Sequence, residues 1–92
     1  MIKWRYAFTS KARREFNKLP KGVQRRILTF LTERVLLAPD PTHHGKALEG
    51  RYRGVWRYRV GDYRIVTELE RDVLVVRIIR IGNRRDIYGK RK

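Results

Sequence analysis

The chain contains no cysteine, which removes a disulfide framework and every thiolate metal site from consideration. No apolar run approaches the roughly 20 residues that a membrane-crossing helix needs. The opening Met1–Phe8 lacks the longer apolar stretch of a secretion signal, so a cytoplasmic location is expected. There is no glycine-rich phosphate loop, no Ser/His/Asp set and no carboxylate pair. His43 and His44 are adjacent on a loop, where two rings do not easily reach one ion, and no Asp/Glu/His set stands at ligand spacing. They are expected to be a solvated pair. Neither metal nor cofactor is expected, so any enzyme here must work through its cations.

Those cations are abundant. The 92 residues hold 24 Lys+Arg against 9 Asp+Glu, a formal net charge of +15. The excess is spread along the chain, +8 over residues 1–46 and +7 over 47–92, so it is not a basic tail. A domain charged this way repels itself, a cost tolerated when the usual partner is a polyanion. Nucleic acid is the first such partner, because phosphate neutralisation releases counterions whatever the base sequence. An acidic protein is the second, and plain solubility is the mundane alternative. The length suits one domain, residues 1–92, with a modest core under a binding face.

Hydrophobic periodicity predicts an α+β fold. Ile2, Trp4, Tyr6 and Phe8 alternate with Lys3 and Arg5, as in a half-buried strand. Thr9 or Ser10 can cap a helix with Ala12, Phe16 and Leu19 on its apolar face. After the break at Leu19–Gly22, a second helix is expected from about Lys21 to Leu37, with Val23, Ile27, Phe30, Leu31 and Val35 inward. The two would form a helical hairpin. Thr42–Gly50 reads as loop. Three strands follow, Val55–Val60, Tyr63–Leu69 and Val73–Ile81, joined by turns at Gly61-Asp62 and Glu70-Arg71-Asp72. The expected order is β-α-α-β-β-β, with helices segregated from a mainly antiparallel sheet.

Strand alternation puts Arg57 and Arg59 on one face, with Trp56, Tyr58 and Val60 on the other. Like charges side by side on a strand repel unless an anion lies between them. Arg64 follows on the paired strand, and Asp62 and Glu68 are too few to neutralise Arg51, Arg53, Arg57, Arg59 and Arg64. A phosphate site explains the cluster better than a merely solvated face. A second cluster, Gly82–Tyr88, leaves the most hydrophobic strand, read as a central one. There Arg84 can meet phosphate, and Tyr88 can either stack on a base or pack on the sheet edge. Lys11, Arg25, Arg26, Arg51, Arg53 and Arg85 are the expected general RNA contacts.

Lys46-Ala-Leu-Glu-Gly50, Val55-Trp-Arg-Tyr-Arg-Val-Gly-Asp-Tyr-Arg-Ile-Val66 and Arg80-Ile-Gly-Asn-Arg-Arg-Asp-Ile-Tyr88 together resemble the RelE family of toxins. The predicted element order matches that family along nearly the whole chain. The resemblance implies a ribosome-dependent endoribonuclease that cuts mRNA by attack of a ribose 2′-OH on the adjacent phosphate. It implies a cognate acidic, RelB-like antitoxin as hetero-oligomeric partner, besides the ribosome and its mRNA. Motif position assigns catalysis to Arg57, Arg59, Arg64, Arg84 and Tyr88. Arg57 and Arg64 would hold the phosphate, Arg84 the leaving oxygen and Tyr88 the base. The chain departs from the family where lysines often stand at positions 57 and 59, the second being a proposed general base. Arginine is not deprotonated in proteins, and a histidine of some relatives is replaced by Asn83. Glu49, Glu68 and Asp86 remain as carboxylate alternatives. The rival functions are a ParE-like toxin that inhibits DNA gyrase by protein binding, and a basic RNA- or ribosome-binding module without chemistry.

Overall fold

Residues 4–47 and 54–85 are described in the structure, a computed structural model. The alternation at the start of the chain forms β1 (Arg5–Phe8), with Tyr6 and Phe8 against the core. Thr9 ends it in an extended conformation, and its Oγ1 accepts the Ala12 N–H at 3.1 Å. That cap starts α1 (Ser10–Asn17), which buries Ala12 and Phe16 and leaves Arg13 and Arg14 in solvent. Lys18–Pro20 breaks the helix before α2 (Lys21–Phe30). Regular helix was expected to reach Leu37, but it stops at Phe30 and widens into a π turn, Leu31–Val35. Where it does so, the Thr32 hydroxyl bonds back to the Leu28 and Thr29 carbonyls. Pro39 and Pro41 then forbid continuation. Ile27, Leu31 and Val35 nevertheless remain one buried stripe.

The segment read as loop carries a 3₁₀ turn, Pro41–His44, and a two-residue strand, β2 (Lys46–Ala47). Two residues are too short to show a period. β3 (Val55–Val60) and β4 (Tyr63–Glu70) follow as a hairpin. Gly61, at φ +59, stands first in its two-residue loop, a position that favours glycine. β5 (Val75–Asn83) starts two residues later than expected, after a turn through Leu74.

The sheet order is β1-β5-β4-β3-β2. β1 lies parallel to β5, and the other pairs are antiparallel, so the sheet is mixed. Both helices intervene between β1 and the rest, a crossover long enough for parallel pairing. β4 is therefore the middle strand, and β5 is an interior strand paired on both sides, with β1 and β4. Only Val75–Ile78 of β5 is covered by β1. Beyond it the exposed edge is closed by α1: Glu15 accepts the Ile81 N–H at 2.8 Å and Arg80 Nε at 2.9 Å.

The core lies between the helices and one sheet face, with Phe16, Ile27, Leu31, Tyr58, Ile65 and Ile78 at its centre. α1 packs on β5 and α2 on β3. Burying one such side chain is worth about 1.5–3 kcal/mol, which fixes the alternation of β3 and β4 and hence which residues point the other way. Among the described residues no helix is long and apolar enough to cross a membrane.

Candidate functional site

With Tyr58 and Val60 committed to the core, Arg57 and Arg59 emerge on the opposite face of β3, as their spacing predicts. Register sets their neighbours. Arg59 stands directly opposite Arg64 on β4, and Arg57 directly opposite Lys46 on β2. Arg84 reaches the same place from the end of β5, its N–H held by the Asp62 carbonyl at 2.9 Å. These five cations line one open cleft of about 450 Å³, within the range of small-ligand sites. No carboxylate is among its described lining residues. Like charges opposed across strands destabilise a sheet, so an anion bound between Arg59 and Arg64 would relieve their repulsion.

Arg64 is fixed in advance: its Nη1 donates to the Gly61 and Tyr63 carbonyls at 3.0 and 3.1 Å. The other wall is the Pro41–His44 turn, and it is equally well held. Asp40 accepts the Thr42 N–H at 2.9 Å and its hydroxyl at 2.7 Å, and pairs with Arg71 at 3.3 Å. Those donors hold the Asp40 carboxyl at about 2, below its ordinary 3.8. The buried Tyr58 hydroxyl donates to the Pro41 carbonyl at 2.6 Å, and burial pushes that hydroxyl up to about 12. Gly45 then passes so close to the Tyr58 ring that a Cβ there would stand 2.8 Å from it. The sequence DPTHHG is thus folded down onto Tyr58, with His44 and Lys46 at the rim.

Four of the five arginine or tyrosine residues assigned to catalysis, Arg57, Arg59, Arg64 and Arg84, come together here. Tyr88 lies outside the described residues, as do Arg51, Arg53, Glu49 and Asp86. Glu68 lies between Val55 and Arg77 in the sheet and does not line the cleft. Lys11, Arg25 and Arg26 are exposed on the helices and do not line it either. Arg25 and Arg26 instead border a separate groove with Phe30 and Glu33. Arg85 is exposed beside Arg84 and Asp62. Lys46 and His44 were not singled out for the cleft from sequence. Lys46 opens β2, whose two residues are too few for any period to announce the pairing with Arg57. The two histidines are exposed, their rings edge to face at 4.7 Å, but only His44 lines the cleft. Among the described residues no cluster of potential metal ligands occurs.

Residues 6–88 match the family model described as the ParE toxin of the type II toxin–antitoxin system parDE. The chain is 32% identical over 83 residues to Toxin RelG of Mycobacterium tuberculosis, covering 90% of this chain and 93% of that protein. Its fold is similar to a chain of the toxin–antitoxin complex RelBE2 of the same organism, with a TM-score of 0.78 and 28% identity over 90% of this chain and 93% of that one. It is also similar to a chain of the RelE–RelB complex of the archaeon Pyrococcus horikoshii, with a TM-score of 0.70 and 26% identity, covering 90% and 97%.

Proposed function

The chain belongs to the RelE/ParE superfamily of toxins from type II toxin–antitoxin systems, and from that premise we propose that it is an endoribonuclease that cuts mRNA on the ribosome. The observation that carries the proposal is the cleft in which Arg57, Arg59, Arg64, Arg84 and Lys46 converge, with no carboxylate among its described lining residues. Five cations around one cleft, with Arg64 already held in place, suit a phosphodiester, whose charge grows on the oxygens as the 2′-OH attacks. Arg57 and Arg64 hold the scissile phosphate, Arg59 clamps the attacking oxygen, and Arg84 stabilises the departing O5′. Tyr88, placed by motif alone, stacks on the neighbouring base. The products are a 2′,3′-cyclic phosphate and a 5′-OH end. Lys11, Arg25, Arg26, Arg51, Arg53 and Arg85 add sequence-independent affinity for ribosomal RNA.

Inactivity between episodes of use requires a partner, and a domain at +15 calls for an acidic one. The solved relatives from M. tuberculosis and P. horikoshii are toxin–antitoxin complexes. A RelB-like antitoxin, forming a hetero-oligomer with this chain in the cytoplasm, is the corresponding partner here.

A gyrase-directed inhibitor is the second reading, favoured by the ParE family model. Such an inhibitor has no need of opposed arginines. Expression in a host distinguishes the two. Collapse of protein synthesis ahead of DNA replication, abolished by Arg57→Ala or Arg64→Ala, is the ribonuclease outcome. Replication failing first, with those variants still toxic, is the gyrase outcome.

A further inference from the structure

Transfer from a 2′-OH needs an acceptor for its proton, and the cleft's arginines are not acceptors. Guanidinium groups stay charged at any physiological pH, and an ordinary ammonium does so nearly as well. The Tyr58 hydroxyl is committed to the Pro41 carbonyl inside the core. Of the described residues that line the cleft, one belongs to a side-chain type that exchanges a proton between about pH 5 and 8, and that residue is His44. We infer that His44 is the general base of this site, taking the 2′-OH proton on a ring nitrogen; the inference rests on the proposed ribonuclease function and deepens it.

Placement distinguishes His44 from an incidental surface histidine. The turn that carries it is braced at its start, by Thr42 and Arg71 on Asp40 and by Tyr58 on Pro41. It is braced again at its end, where the Gly45 N–H donates to the Thr42 carbonyl at 2.9 Å and Lys46 pairs with Arg57. A base must sit within hydrogen-bond reach of its proton, so a rigid mount is part of the requirement. The charged groups that line the cleft together with His44 are Lys46 from β2, Arg57 and Arg59 from β3, Arg64 from β4 and Arg84 from the end of β5. On its own turn the titratable neighbour is His43, which does not line the cleft.

The step balances as follows. The 2′-oxygen forms a bond to phosphorus as its proton passes to the His44 imidazole, and the P–O5′ bond breaks. The departing O5′, stabilised by Arg84, takes a proton from water, and the His44 imidazolium later returns its proton to solvent. Arg59 stays charged throughout and lowers the cost of the oxyanion.

Single-turnover cleavage of mRNA on programmed ribosomes, measured against pH at saturating toxin, tests this. The wild type is expected to slow as pH falls and protonation removes the base. His44→Gln should be about 10²–10⁴-fold slower at neutral pH and should lose that dependence. His44→Ala should regain rate when free imidazole is added, and His43→Gln should behave as wild type. His44 is exposed, so these variants should fold, and their circular dichroism should match the wild type. A His44→Gln enzyme with the wild-type rate, or a slower one that keeps the wild-type pH profile and ignores imidazole, overturns the base role and leaves the ribonuclease function standing. A wild type that cuts nothing removes the function itself, and the inference with it.

Discussion

Arg59 and Arg64 face each other across β3 and β4, and that opposition makes a sharp statement about what each must do. Under the proposed function Arg59 is a clamp, because a guanidinium does not give up its proton near neutrality. Arg59→Ala should therefore lose about 10²–10³ in single-turnover rate, and Arg59→Lys, which keeps charge but not the fork, should fall between. A lysine variant faster than wild type, with a new inflection between about pH 6 and 9, would falsify the clamp. Asp40 makes a different prediction. Its carboxyl is depressed to about 2 from 3.8, so its stabilising effect is fully present above about pH 4 and disappears as pH falls toward 2. Urea denaturation across that window should show wild type losing more stability than Asp40→Asn, which has no charge to lose. Equal acid sensitivity in the two would mean that the charge on Asp40 contributes nothing.

At the level of elements, the free half of β5 depends on α1. Glu15 bridges 65 residues of sequence to Arg80, and its other oxygen takes the Ile81 N–H that no strand satisfies. Glu15→Ala should cost about 1–2 kcal/mol in chemical denaturation, given hydrogen bonds to a charged group discounted for partial exposure. Glu15→Gln, which keeps an acceptor for Ile81, should cost less. Much of this architecture was legible beforehand, because burial enforces periods of two and 3.6. The faces of β3, α1 and α2 follow directly from Tyr58, Phe16 and Ile27. What the sequence does not announce is non-local or short. The parallel pairing of β1 with β5 depends on where the chain returns, and β2 has two residues. The π turn leaves no mark on the hydrophobic pattern, since Ile27, Leu31 and Val35 stay one buried stripe through it. The site followed the same rule. Arg57, Arg59 and Arg64 were readable from alternation and a tight turn, whereas His44 and Lys46 enter only through the fold-back of Pro41–Gly45 onto Tyr58.

For the whole molecule, charge and chemistry are separable. A net +15 spread over the chain should bring the protein to RNA from any side, with Lys11, Arg25 and Arg26 contributing outside the cleft. Replacing one of these by alanine should weaken ribosome binding slightly and reduce the slope of log affinity against log salt by about 0.7–1. It should leave the rate on bound ribosomes intact. Equal losses from helix and cleft variants would mean diffuse electrostatics and no phosphate site. The most direct measurement is to incubate purified protein with mRNA-programmed ribosomes and identify the chemistry of any new RNA ends. Cuts bearing a 2′,3′-cyclic phosphate and a 5′-OH, lost in Arg57→Ala and Arg64→Ala, are the outcome expected of the arginine cleft. Intact mRNA under saturating protein, or cuts that survive both substitutions, would contradict it.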